Sequence, residues 1–248
     1  MNFMDLNKNK VAWIFSVFIV ISTLCILLKL PYDKPVNKIN SIVCFGDSNT
    51  WGDDPHDYTR YPKHNRWTGI LQDLLGNGYE VISEGMNGRT TKESVDEDYE
   101  DGLTILPAVL STNKPVDILI FMIGTNDCKI SQKESVADIA EGMEELIITA
   151  RTVTNNLQGY IPKIIIVSPP AIQDAVKESW LNYAYDETSI QKSLLLAEYY
   201  QKIAETYDCY FVNGTDTLEV SDLDGIHMTE NGHKQLAQML AKIIKGME

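Results

Sequence analysis

Short apolar runs alternate with longer stretches of helical spacing through most of this chain. Ser41 to Phe45 (SIVCF), Tyr79 to Ser83, Val116 to Ile123 (VDILIFMI), Lys163 to Val167 and Cys209 to Val212 read as strands, several of them closed by glycine or proline. Trp67 to Leu75, Ala137 to Val153, Ser189 to Tyr207 and Thr229 to Ile244 carry apolar residues at helical spacing. Gly76-Asn77-Gly78 stops the first of these helices, and Thr229 is placed to N-cap the last. Most of the strands are apolar without alternation. That pattern belongs to a parallel sheet covered by helices on both faces. In such sheets ligands bind outside the carboxyl ends of the strands.

The alternation begins only near residue 40. Before it, Val11 to Leu28 runs without a charge, about the minimum length for a membrane-spanning helix. No small-x-small cleavage pattern follows, so an uncleaved anchor is expected, with a cleaved signal peptide as its rival. The predicted organisation is a tail at 1–10, the anchor or uncleaved signal at 11–30, a polar linker at 31–39 and one domain at 40–248. Lysines flank both ends of the apolar run, so charge does not set its orientation. The short tail and large C-terminal domain favour an extracytoplasmic domain, which would be secreted if the segment were cleaved.

Composition narrows the function. The 248 residues are 44% hydrophobic, enough for a sizeable core. The net charge of -14 disfavours nucleic acid as a partner, because phosphates would be repelled. Four cysteines, Cys25, Cys44, Cys128 and Cys209, match neither a zinc site nor a dense disulfide framework. Cys44 is expected as a free thiol in a core strand, although a Cys44–Cys128 pair stays open. No metal or cofactor is expected, since no His/Asp cluster has ligand spacing.

Four short motifs follow predicted strands or precede the last helix. They are Gly46-Asp47-Ser48-Asn49-Thr50, Gly85-Met86-Asn87-Gly88, Gly124-Thr125-Asn126-Asp127 and Asp224-Gly225-Ile226-His227. As a set they supply what acyl transfer at a serine needs: a nucleophile, a base, an orienting carboxylate and oxyanion donors. Ser48 is the candidate nucleophile and His227 its base. Asp224, three residues before His227, can reach the imidazole Nδ1–H and fix its tautomer. The Ser48 N–H, the Gly88 N–H and the Asn126 amide are the candidate oxyanion donors. His233 is expected at the surface of the last helix. His56 and His64 fall in a polar loop with no evident orienting carboxylate.

With these residues in view, the chain resembles the SGNH (GDSL-type) hydrolases, with Ser48, Gly88, Asn126 and His227 at the naming positions. Thr50-Trp51-Gly52, Arg66-Trp67-Thr68-Gly69, Gly88-Arg89-Thr90-Thr91 and Val167-Ser168-Pro169-Pro170 resemble the bacterial arylesterase/acyltransferase branch. The resemblance implies a flavodoxin-like three-layer α/β/α sandwich with a five-stranded parallel sheet. It also implies a metal-independent esterase for small acyl groups, acetyl foremost, with Asp224 as third triad member. Members of that branch pass acyl groups to alcohols as well as water, and some form homo-oligomers. Asn87-Gly88 stands where that branch carries a serine-alanine pair, and the segment from Gln173 to Thr188 also departs from it.

Two segments are expected near the pocket. One is the acidic run Asp96 to Asp101, whose simpler role is a solvated surface. The other holds Trp180, Tyr183 and Tyr185, which with Trp51 could wall an acyl or aryl group. The anchor motivates rival substrates: O-acetyl groups of a cell-surface glycan, or lysophospholipids and thioesters. A non-catalytic binding module is the alternative from another class.

Overall fold

The computed structural model describes residues 39–247. A parallel sheet forms the centre because its inner strands are apolar on both faces. Its members are β1 (Asn40–Gly46), β2 (Tyr79–Gly85), β3 (Ile118–Met122), β4 (Lys163–Val167) and β5 (Tyr210–Val212), in the spatial order β2-β1-β3-β4-β5. Every pairing is parallel. This is a doubly wound order whose direction of winding reverses between β1 and β3, and that reversal opens a crevice beyond the strand ends. The five expected strands are all present, with ends moved by a few residues.

Helices cover both faces. Ile42, Cys44, Ile118, Ile120 and Met122 point to one side, where α2 (Trp67–Leu75) and α6 (Glu230–Lys245) contribute Trp67, Leu71, Leu236 and Leu240. Val43, Phe45, Leu119 and Phe121 point to the other side, against α3 (Gly102–Thr112), α4 (Val136–Gln158) and α5 (Glu187–Thr206). The period of two along each strand separates the two cores. Cys44 belongs to the first and Cys128 to the second, and both are buried free thiols.

Caps explain where the helices begin. Thr229 caps α6 by accepting the Gly232 N–H at 3.1 Å, and Ser135 with Asp138 forms a capping box on α4. One helix was not expected from the sequence. α3 carries Pro107 inside it and is opened by Asp101, whose carboxylate accepts the Thr104 N–H at 3.0 Å. Part of the acidic run thus serves as a helix cap.

The anchor expected at Val11 to Leu28 lies outside the described residues, as does Cys25. Among the described residues no helix is long and apolar enough to cross a membrane.

Candidate active site

The first motif leaves β1 at Gly46 and turns at once into a one-turn helix, α1 (Ser48–Trp51). Asp47 caps it, accepting the Asn49 N–H at 3.0 Å. The turn lifts Ser48 to the carboxyl edge of the sheet, where it is almost buried. β1 and β3 end in register, Gly46 beside Met122, so the segment after β3 brings Asn126 to the same edge.

The fourth motif arrives from the other end of the chain. Gly225 adopts a positive φ of 72° and lets the segment fold back on itself. Asp224 Oδ1 then accepts the backbone N–H groups of Ile226 and His227 at 2.9 and 3.0 Å. Its Oδ2 lies 2.6 Å from His227 Nδ1, and His227 Nε2 lies 3.0 Å from Ser48 Oγ. A carboxylate only accepts, so Nδ1 carries the proton and Nε2 is the free acceptor facing the hydroxyl. Asn49 binds the two motifs together. Its amide donates to Ile226 O at 3.3 Å, and its Oδ1 accepts the Met228 N–H at 2.9 Å.

The electrostatics follow from these partners. Burial acts to lower the His227 pKa. The hydrogen bond and charge of Asp224, with Asp53 and Asp47 behind it, more than offset this, and the pKa is raised. Burial acts to raise the Asp224 carboxyl. His227 and the two backbone donors outweigh it and hold the pKa below its ordinary value. Asp47 has weaker compensation, and burial pushes it up to about 6.

Donors for negative charge surround the same point. Neither the Ser48 N–H nor the Gly88 N–H meets an acceptor among the described residues. Gly88 has φ +84, a left-handed conformation that favours glycine. Asn126 is aimed by its neighbours. Its Nδ2 donates one proton to Arg89 O at 3.1 Å, its Oδ1 accepts from the Tyr185 hydroxyl at 3.2 Å, and a second N–H remains. Arg89 is itself fixed, donating to Gly46 O at 3.0 Å and to Glu84 O, with its guanidinium over the Phe45 ring.

Ser48, Gly88, Asn126 and His227 all line one cavity of about 190 Å³. Trp180 lines it too, with Tyr183 and Tyr185. Trp51 does not. The Arg60 guanidinium stands over its ring at 5.2 Å, and Asp53 occupies the lining two residues further on. Among the described residues of the run Asp96 to Asp101 none lines it either, although Asp96 pairs at 2.7 Å with Lys129, which does. Asn87, beside Gly88 in the second motif, lines it, as do Asp53 and Lys129, which the motifs did not reveal. They sit in loops, where no periodicity marks the inward face.

The other histidines need correction. His233 is fully buried rather than exposed, because it shares the apolar stripe of α6 with Leu236 and Leu240. Its Nδ1 accepts the Trp67 N–H at 3.3 Å. His56 and His64 do have carboxylate neighbours, Asp54 at 2.8 Å and Asp73 at 2.7 Å. Both rings stand in solvent outside the cavity, where such pairs contribute little.

Known proteins share this arrangement of chain. The model of the family described as GDSL-like Lipase/Acylhydrolase matches residues 42–240. An acetylxylan esterase of Xylanibacter ruminicola is 27% identical over 223 residues, covering 82% of this chain and 43% of that protein. The chain thus spans less than half the length of this curated relative. Est24, a carbohydrate acetylesterase from Sinorhizobium meliloti, is 30% identical with a TM-score of 0.79, covering 84% of this chain and 100% of that one. The aryl esterase of M. smegmatis is 33% identical with a TM-score of 0.75, over the same shares of the two chains.

Proposed function

This chain belongs to the GDSL-like lipase/acylhydrolase family and is a carboxylic ester hydrolase, and from that premise we propose that it cleaves esters of small acyl groups, acetyl foremost, through an acyl-enzyme on Ser48. The observation that carries the proposal is the continuous hydrogen-bonded line from Ser48 Oγ through the His227 ring to Asp224, at 3.0 and 2.6 Å.

The chemistry follows from that line. His227 Nε2 takes the Ser48 proton as Oγ attacks the ester carbonyl. The carbonyl electrons move onto oxygen, and the Ser48 N–H, the Gly88 N–H and the second Asn126 N–H receive that charge. Asp224 stabilises the imidazolium and keeps its plane. The intermediate collapses, His227 gives its proton to the leaving alcohol, and the acyl group stays on Ser48. Water then repeats the sequence in reverse roles, and an alcohol bound in its place would receive the acyl group instead. The small cavity favours short acyl chains. The names of the acetylxylan and carbohydrate acetyl esterases among the relatives support acetyl.

Replacing Ser48 tests the mechanism. Ser48→Ala is expected to lower turnover of p-nitrophenyl acetate by about 10⁴-fold or more, with an unchanged thermal melt. It should also abolish labelling by a fluorophosphonate probe. Activity retained in that variant removes Ser48 from its role.

The apolar run at Val11 to Leu28 further supports an anchored enzyme with its domain outside the cytoplasm. Protease added to intact cells should then degrade the domain, and protection would argue against export.

A further inference from the structure

The cavity has two features that hydrolysis of the ester does not use. One is apolar and exposed. Trp180 is 53% and Tyr183 72% accessible, although both line the cavity and carry large rings. The rings lie 6.3 Å apart at a 35° tilt, and Tyr58 meets Trp180 edge-on at 5.1 Å. Leu181, buried between Trp180 and Tyr183 in sequence, anchors their segment, and Ser179 caps it by accepting the Leu181 N–H at 3.1 Å. The rings therefore stand on a fixed base with their faces available. Exposed aromatic groups held this way mark a binding surface.

The other feature is polar and buried. Asp53 is 6% exposed and lines the same cavity. Its Oδ2 accepts the Asn87 amide at 2.9 Å, while Oδ1 has no partner among the described residues. Asn87 is exposed and keeps its own carbonyl and a further N–H. A carboxylate oxygen left without a donor calls for a hydroxyl or another donor on the ligand. A hydrocarbon chain would leave it unmet.

Resting on the esterase reading above, we propose that the alcohol side of the ester is a sugar, stacked on Trp180 and Tyr183 with hydroxyls hydrogen-bonded to Asp53 and Asn87. A pyranose presents C–H faces to aromatic rings and hydroxyls at its rim, which is the pairing these residues offer. A quaternary-ammonium alcohol would also suit rings and a carboxylate, but as an ester it carries no hydrogen-bond donor for the unpartnered Asp53 Oδ1. The site would thus read an O-acylated glycan residue, with the acyl group directed at Ser48.

The test compares kcat/KM on a partially acetylated xylo-oligosaccharide with kcat/KM on p-nitrophenyl acetate, for wild type, Asp53→Asn, Trp180→Ala and Trp180→Phe. Each protein is assayed on the plateau of its own pH profile, because the Asp53 charge also acts on His227. In Asp53→Asn and Trp180→Ala the glycan-to-aryl ratio is expected to fall about tenfold or more, mainly through KM on the glycan. Trp180→Phe should restore most of the ratio lost in Trp180→Ala. A ratio unchanged in both Asp53→Asn and Trp180→Ala, with wild type still cleaving the aryl ester, overturns the sugar site and leaves the esterase reading standing. Wild-type preference for acetylcholine over the glycan overturns it too. Wild-type protein inert on both esters overturns the esterase reading and the sugar site with it.

Discussion

His227 and His233 lie six residues apart, before and within the first turn of α6, and both are buried. Their surroundings differ in one respect. His227 has the Asp224 carboxylate at 2.6 Å, and its pKa is raised in spite of burial. His233 has the Trp67 N–H, the edge-on Tyr61 ring at 5.4 Å and the nearby positive charges of Arg66 and His227, with only Asp54 opposing them. Burial first, then those charges, bring its pKa down to about 3. Burial, helped by neighbouring positive charge, thus turns an imidazole into a neutral packing group. A buried carboxylate beside it turns the same ring into a base that can hold a proton in transit.

The sharpest way to break the comparison is to exchange each ring for an amide. His227→Gln is expected to lower turnover of p-nitrophenyl acetate by about 10⁴-fold or more. His233→Gln should leave turnover within about tenfold of wild type and cost stability of about 1–3 kcal/mol by disturbing a buried polar contact, read from urea melts. Equal losses of turnover in the two variants would erase the distinction.

Asp224→Asn comes next in size. The amide can donate where only an acceptor keeps the proton on Nδ1, so turnover should fall about 10³- to 10⁴-fold while the thermal melt moves little. A loss below tenfold would mean that the backbone, and not the carboxylate, sets the tautomer.

The pH profile sharpens the comparison further. In the proposed mechanism His227 must be neutral to accept the Ser48 proton, and its pKa is raised. The kcat/KM profile should therefore climb about tenfold per pH unit on its acidic limb and level off at a midpoint above the ordinary imidazole value of 6.5. A midpoint below 6.5 would show burial outweighing Asp224.

The smallest effect is thermodynamic. Folded His233 refuses, down to a pH of about 3, a proton that the unfolded chain accepts below 6.5. Its contribution to stability is complete above 6.5 and is lost as pH falls, by about 1.4 kcal/mol per pH unit. Asp47 and Asp127, raised by burial to about 6, act in the opposite sense. Their contribution is complete below the ordinary 3.8 and is lost as pH rises through 6. The difference in unfolding free energy between wild type and His233→Gln isolates the histidine, and a difference independent of pH from 4 to 6.5 would refute its depressed pKa.

Much of this architecture was legible in the chain because strands buried on both faces leave an unbroken apolar signature. The motifs at Ser48, Gly88, Asn126 and His227 were legible because each follows a strand or precedes a capped helix. α3 was hidden by Pro107 and by an acidic run that reads as loop until Asp101 is seen capping it. The polarity of His233 points outward, but its spacing points inward. Residues 233, 236, 240 and 244 share one helical stripe, a spacing that places the ring inward. Asp53 and Lys129 carried no such sign, since irregular backbone gives no rule for which side chains face a cavity.

Asn49 reaches across 177 residues of sequence to Ile226 and 179 to Met228, and so joins the serine turn to the histidine segment. Loss of either half would leave buried amide and carbonyl groups of the other without a partner, so the two are expected to loosen together.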